Sequence, residues 1–273
     1  MKFGIAIDFN PSTDGKAWEE RYKSAIDMGY DYIEANAGQI AKMSLDEINS
    51  AKIRLAGISI LAANCLFPGE MPVVGINRDQ AQISEYLDGT LKNCSLLGIK
   101  KVVFGSGWSR RIDGGYPYEK AHQDMRSTCK IASDTASKYN IIIAVEPLNR
   151  GECNFINTVS QGLALVKELD LENIRLLADL YHVYQSGGDF SIKKEDIKYF
   201  SHFHCARPQD RTLLTEVTAE CLNFAKTIRE AGYDDTVTTE CVLENFDRGG
   251  IANLKVLREI FVCPHSCKKS LTI

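Results

Sequence analysis

Short apolar runs alternate with longer amphipathic stretches along this chain. The short runs are rich in β-branched and aromatic residues and predict β-strands, whereas stretches such as residues 79–97 and 118–139 repeat their apolar positions at helical spacing. Gly29, Gly98 and Gly232 fall between a predicted helix and the next predicted strand, where glycine commonly ends a helix. The eight predicted strands span residues 3–8, 32–35, 58–63, 101–105, 141–146, 174–179, 200–204 and 236–240.

Repeated strand–helix units of this kind indicate an α/β fold built on a parallel sheet. An open doubly wound sheet that binds a dinucleotide would carry Gly-x-Gly-x-x-Gly after its first strand, and this chain has no such motif there. The sequence therefore favours a closed (β/α)8 TIM barrel, and the length of 273 residues is near the usual size of that fold. Because no linker, repeat or charge block interrupts the pattern, we expect one domain over residues 1–273.

Four successive predicted strands end on side chains that can bind metal ions or carry protons: Glu146, Asp179, His204 and Glu240. Any one such acid alone is more often a solvated loop residue or half of an ion pair. The carboxyl ends of barrel strands form the active site, so four such residues in succession predict a common site. Three carboxylates and an imidazole suit a divalent cation, with Mn²⁺ as the prediction and Mg²⁺, Co²⁺ or Zn²⁺ as alternatives.

Histidines cluster near the same strand ends. His182 follows Asp179 by three residues, and alone it would more often be a packed or surface histidine. His202 and His204 share one strand face because strand side chains repeat every two residues. Only the more terminal of the two should reach a metal ion, and we choose His204.

The loop after the fourth predicted strand reads Gly105-Ser106-Gly107-Trp108. It resembles a phosphate loop only weakly, since it lacks the Gly-Lys-Ser/Thr ending that places a lysine on the phosphates. A substrate-covering loop with Trp108 as its wall is an equally good interpretation. Arg211, seven residues after His204, is a candidate for holding a hydroxyl or phosphate oxygen, although a surface arginine is the commoner case.

Composition limits the partners and the compartment. The chain is 44% hydrophobic, and its 32 basic and 36 acidic residues give a net charge of −4, which provides no basic face for nucleic acid. Nine scattered cysteines without a Cys-x-x-Cys pair, no signal segment and no long apolar run predict reduced thiols, a cytoplasmic location and no membrane partner. We expect a small-molecule partner, and a homo-oligomer, dimer or tetramer, is compatible with the sequence.

Five motifs of the chain carry a family resemblance, and the most specific is Glu146-Pro147-Leu148-Asn149-Arg150. The other four are Phe104-Gly105-Ser106-Gly107, Asp179-Leu180-Tyr181-His182, His202-Phe203-His204 and Thr239-Glu240. These motifs resemble those of the sugar isomerase and epimerase superfamily with a xylose-isomerase-like barrel, and within it the D-tagatose and D-psicose 3-epimerases. The resemblance covers most of the chain.

The resemblance implies roles for the strand-end residues. Glu146 and Glu240 would each be a metal ligand and an acid/base residue, and Asp179 and His204 would complete the metal site.

The resemblance also implies that Glu152 and His182 contact the substrate. The family's arginine six residues after the ligand histidine is replaced here by Asp210, and Arg211 comes one residue later. Arg207 stands where the family commonly has an acid, which changes the charge beside the substrate.

These features together predict a metal-dependent epimerase or isomerase that acts on a free or phosphorylated ketose through an enediolate. We expect 3-epimerisation, with Glu146 and Glu240 as the acid/base pair. Aldose–ketose isomerisation and dehydration of a keto-inositol are alternatives, because they would use the same metal ion and acid/base residues. An abasic-site endonuclease would need histidines at the third and fourth strand ends, where this chain has Asn64-Cys65 and Gly105-Ser106. A non-catalytic sugar-binding subunit is the third class of alternative.

Overall fold

A computed structural model describes residues 1–10, 17–188, 190–243 and 246–262. Eight parallel strands form a closed barrel in chain order, in which β8 pairs with β1. The TIM barrel predicted from the sequence is therefore confirmed, and every predicted strand is present with ends that differ by at most two residues. The strands are β1 Lys2–Ala6, β2 Tyr32–Asn36, β3 Ile60–Asn64, β4 Lys101–Phe104, β5 Ile142–Val145, β6 Ile174–Asp179, β7 Phe200–His204 and β8 Thr236–Thr239.

Helices of the described ranges surround the barrel. They are α1 Trp18–Asp27, α2 Ala37–Ile40, α3 Leu45–Arg54, α4 Gln80–Leu96, α5 Tyr118–Tyr139, α6 Val159–Leu169, α7 Leu180–Gln185, α8 Ala219–Glu230 and α9 Phe246–Val262, with a 3₁₀ helix at Lys194–Tyr199. Helices α1 to α8 lie between successive strands, and α9 follows β8. Local sequence sets several of their ends. Asp79 caps α4 by accepting hydrogen bonds from the amides of Ala81 and Gln82, and Gly98 after this helix has φ of +89°.

The two faces of the strands have different surroundings. Outward-facing aliphatic and aromatic side chains pack against the helices and form the main core. Inside the barrel, Val103, Ala144 and Leu177 form a small apolar cluster separate from the main core. Much of the remaining interior is buried but polar, and includes Lys101 and His202. Because strand side chains alternate, this polar interior continues directly into the residues at the strand ends.

Within the described ranges, the structure contains no helix with the length and apolar character needed to cross a membrane.

Candidate active site

Four side chains from successive strand ends meet at the carboxyl end of the barrel. Glu146 and Glu240 stand one residue beyond β5 and β8, and Asp179 and His204 are the last residues of β6 and β7. Each offers one ligand atom, and these atoms lie within 4.8 Å of one another. His204 Nδ1 is 3.4 Å from Glu146 Oε1 and 3.1 Å from Glu240 Oε2. The structure thus brings these four residues together, while their binding of a metal ion stays a prediction.

Several polar atoms of this cluster are buried without a hydrogen-bond partner among the described residues. Two are carboxylate oxygens, Glu146 Oε1 and Asp179 Oδ2, and two are ring nitrogens, His204 Nδ1 and His182 Nε2. Buried polar atoms are almost always hydrogen-bonded, so converging exceptions need a common explanation. Carboxylate oxygens and an imidazole nitrogen are donor atoms that suit Mn²⁺, and Mg²⁺, Co²⁺ or Zn²⁺ as well. The residues therefore fit a divalent cation.

The two glutamates of the cluster have pKa values shifted in opposite directions. Burial raises the pKa of Glu146 above its ordinary value, and it raises the pKa of Asp179 to about 7. Burial alone would also raise the pKa of Glu240. The positive charges of Arg211 and His204 outweigh that effect and hold the pKa of Glu240 well below its ordinary value. The site therefore separates the protonation behaviour of two otherwise identical side chains.

Arg211 lies inside the site rather than on the surface. Its Nη2 is 2.6 Å from Glu240 Oε2 and 3.7 Å from Asp179 Oδ2, and its Nη1 is 3.4 Å from Glu152 Oε1. The guanidinium also stands 5.2 Å from the ring centre of Tyr181. The backbone of Arg211 has φ of +57°, a left-handed conformation that costs energy for a residue with a side chain. Arg211 therefore lies beside Asp179 and Glu240, although it comes one residue later in the chain than the family's arginine.

His182 also faces the cluster. Its Nδ1 accepts hydrogen bonds from the backbone amide and the side-chain amide of Asn149, at 3.3 and 2.9 Å. Burial, followed by the charge of Arg211, lowers the pKa of His182 to about 3, so the ring is neutral and carries its proton on Nε2. That Nε2 lies 3.7 Å from Asp179 Oδ2 and 3.9 Å from Glu152 Oε2. His182 therefore points an N–H donor into the site.

Two residues of this region were missed by sequence reasoning about the site. Asn64, the last residue of β3, donates from Nδ2 to Glu240 Oε1 at 2.7 Å. Glu34 of β2 is fully buried and contacts both His202 and His204. Each had a signal in the sequence, because Asn64 is a polar strand end and Glu34 is a charged residue inside an apolar strand.

A cavity of about 430 Å³ opens above the cluster. Trp108 lies at its edge with 72% of its surface exposed, and its ring stands 5.1 Å from the guanidinium carbon of Arg111. Trp108 therefore occupies the wall position that the sequence predicts, and contact with a substrate stays a prediction. Other lining residues include Asn36, Lys42, Asn64, Phe67 and Glu152.

Gly105 leaves the space that the Glu146 carboxylate occupies, because a Cβ at this position would overlap Glu146 Oε2. We expect Gly105→Ala to displace that carboxylate and to lower turnover by up to about 100-fold, since small misplacements of reacting groups are costly. The thermal midpoint should change little because the displaced atom ends a flexible side chain. Gly89→Ala is the control, because this helical glycine has open space around it and should keep full activity. Normal turnover of Gly105→Ala would contradict the expectation.

Comparison with known proteins places the chain in a family. The model of the xylose isomerase-like TIM barrel family matches residues 22–260. The chain therefore belongs to the xylose isomerase-like TIM barrel family.

Individual relatives are named epimerases and isomerases. The inosose isomerase of Bacillus licheniformis is 26% identical over 238 residues, which cover 78% of this chain and 79% of that protein. The D-psicose 3-epimerase of Ruminiclostridium cellulolyticum is 24% identical over 270 residues, with 89% and 85% covered. The crystal structure of D-psicose 3-epimerase with D-tagatose from Clostridium cellulolyticum H10 superposes with a TM-score of 0.76 at 18% identity, covering 96% of this chain and all of that chain, which shows the shared fold. The relatives' names support the expectation of an isomerase-type enzyme.

Proposed function

We propose that this protein is a metal-dependent epimerase or isomerase of small sugars, and that it catalyses 3-epimerisation of a ketose. The observation that carries the proposal is the placement of two glutamates beside one imidazole nitrogen. Glu146 Oε1 and Glu240 Oε2 lie 3.4 and 3.1 Å from His204 Nδ1, and their pKa values are shifted in opposite directions. Epimerisation needs such a pair, because one group removes a proton and another returns it to the opposite face.

Glu146, Asp179, His204 and Glu240 would hold the cation, with Mn²⁺ proposed as the ion. When bound, a divalent cation would act as a Lewis acid that stabilises negative charge developing on the substrate's carbonyl oxygen.

Neighbouring residues prepare the two glutamates for different tasks. Asn64 and Arg211 donate to the two oxygens of Glu240, at 2.7 and 2.6 Å, and so fix its orientation and favour its ionised form. Glu146 has a raised pKa because it is buried, so it takes up a proton more readily. Glu240 therefore serves as the base in one direction and Glu146 as the acid, and the roles exchange in the reverse direction.

The remaining polar groups of the site suit a substrate with several hydroxyls. The His182 Nε2 proton can be donated to a substrate oxygen, because Asn149 already occupies Nδ1. Glu152 can accept from a hydroxyl, and Arg211 holds it in place at 3.4 Å. Trp108 at the cavity edge offers an apolar surface for the carbon skeleton. These contacts would orient a sugar so that one C–H bond faces the two glutamates.

Isomerisation of a keto-inositol is the second candidate. It is supported by the similarity to the inosose isomerase of Bacillus licheniformis over 78% of this chain. The same acid/base pair would serve, because abstraction of a proton beside a carbonyl is common to both reactions.

Incubation with D-psicose, D-tagatose, D-fructose, their phosphates and an inosose, each with Mn²⁺ in D₂O, distinguishes these candidates. We expect a ketose to give its C3 epimer and to take up deuterium at C3, because a proton removed by a glutamate exchanges with solvent. Chromatography would resolve the epimers, and NMR would locate the deuterium. Exchange with the inosose alone would favour the second candidate. Absence of exchange with every compound, in protein shown to contain metal, would refute the proposal.

A further inference from the structure

Glu34 lies beneath the candidate metal site, inside the barrel. Its side chain is fully buried, and its two oxygens contact two different histidines. Oε2 is 2.8 Å from His202 Nε2, and Oε1 is 3.0 Å from His204 Nε2. The carboxylate therefore joins β2 to β7 across the barrel and touches the side of His204 opposite the cluster of acids.

Further hydrogen bonds hold this arrangement from below. His202 Nδ1 is 2.7 Å from the hydroxyl of Thr236, which in turn lies 2.8 Å from Lys101 Nζ. The ammonium group also donates to the carbonyl of Ser201 at 2.7 Å. A network with every member bonded is rigid, so the position of Glu34 is well defined.

The hydrogen-bonding chemistry of the carboxylate determines where the proton of His204 resides. An ionised carboxylate can only accept, so His202 and His204 must each donate an Nε2 proton to Glu34. A histidine that binds a metal ion is neutral. His204 in that state keeps its proton on Nε2 and has none on Nδ1, whose lone pair faces Glu146 and Glu240. If the proton were on Nδ1 instead, the unprotonated Nε2 would face Glu34 Oε1, and two acceptors would then be in contact.

We propose that Glu34 is a positioning residue that holds His204 in the Nε2–H tautomer, with its Nδ1 directed at the metal ion, an inference that rests on the metal site proposed above. Ligating histidines commonly donate their second ring proton to a carboxylate in this way, which fixes the ring and raises its basicity as a ligand.

A second metal ion bound by Glu34, His202 and His204 is a poorer account of the same cluster. Both carboxylate oxygens are already at direct hydrogen-bond distance from a ring nitrogen. An ion held by these three side chains would have to replace both of these hydrogen bonds.

Glu34→Gln tests the proposal while keeping the side-chain volume. The amide has no charge, and its NH2 group replaces one of the two carboxylate oxygens, so a donor faces one of the two Nε2–H groups. We expect the affinity of metal-free protein for Mn²⁺ to fall by about 10- to 100-fold, measured by calorimetric titration. Glu85→Gln on the exposed face of α4 is the matched control: it makes the same chemical change far from this cluster, and its affinity should stay near that of the wild type.

Nitrogen-15 NMR of the wild-type protein loaded with Zn²⁺ gives a test that needs no variant. Long-range nitrogen–proton correlations should show His204 protonated at Nε2. Wild-type Mn²⁺ affinity in Glu34→Gln would overturn the role of Glu34 and leave the metal site intact. Protonation of His204 at Nδ1 would overturn both, because that nitrogen could not then bind the ion. A wild-type protein that binds neither cation would overturn the metal site as well. If Glu34→Gln does not fold, the NMR result alone decides.

Discussion

Replacing Glu146 or Glu240 by Gln should lower turnover at least about 100-fold, because each change removes a proton-transfer group while keeping its volume. Both carboxylates lie within 3.4 Å of the same imidazole nitrogen, so each can reach the same carbon of a substrate held there. The double variant should be little worse than either single variant, since the two groups act as a unit. Steady-state kinetics on the best ketose of the panel would measure these losses.

Loss of the metal ion would imitate this result, so metal content must be measured in each variant. Glu85→Gln on the exposed face of α4 makes the same chemical change far from the site and should keep full activity. If Glu240→Gln retains its metal and near-normal exchange of the substrate proton with solvent, the two-base assignment is wrong. A single-base isomerase or eliminase centred on Glu146 would then be the better account.

Chelation with EDTA should abolish activity, and Mn²⁺ or Co²⁺ should restore it, because two buried carboxylate oxygens and an imidazole nitrogen, all without a hydrogen-bond partner, converge where the cation is proposed to bind. The same ion should raise the thermal midpoint of the metal-free protein. A ligand that binds only the folded state stabilises it by about 2.7 kcal/mol when its concentration is about 100 times Kd. Calorimetry with and without Mn²⁺ would measure this stabilisation.

Asp179→Asn provides a check on where the ion acts. Asp179 belongs to the cluster but is outside the proposed acid/base pair, so this variant should lose most of the stabilisation by Mn²⁺. Full activity in wild-type protein shown by elemental analysis to be free of metal would refute metal dependence.

The sequence by itself determined the eight strands and the order in which they follow one another. Period-two and helical patterns are local, and each strand has a neighbour directly before or after it in the chain, so the barrel could be predicted from one pass along the sequence. The residues at the strand ends could also be identified from the local sequence. The carboxyl ends of parallel strands all face one end of a barrel, which is why Glu146, Asp179, His204 and Glu240 could be expected to converge.

Only the tertiary structure decided what surrounds each of these residues. Glu34 meets His204 across 170 positions of sequence, and Asn64 meets Glu240 across 176. No local pattern reports such distant pairs, because they depend on barrel closure and on the register between strands. The position of Arg211 likewise depends on a left-handed turn at a residue that has a side chain. The opposite pKa shifts of Glu146 and Glu240 follow from these contacts and from burial, so they too required the folded structure.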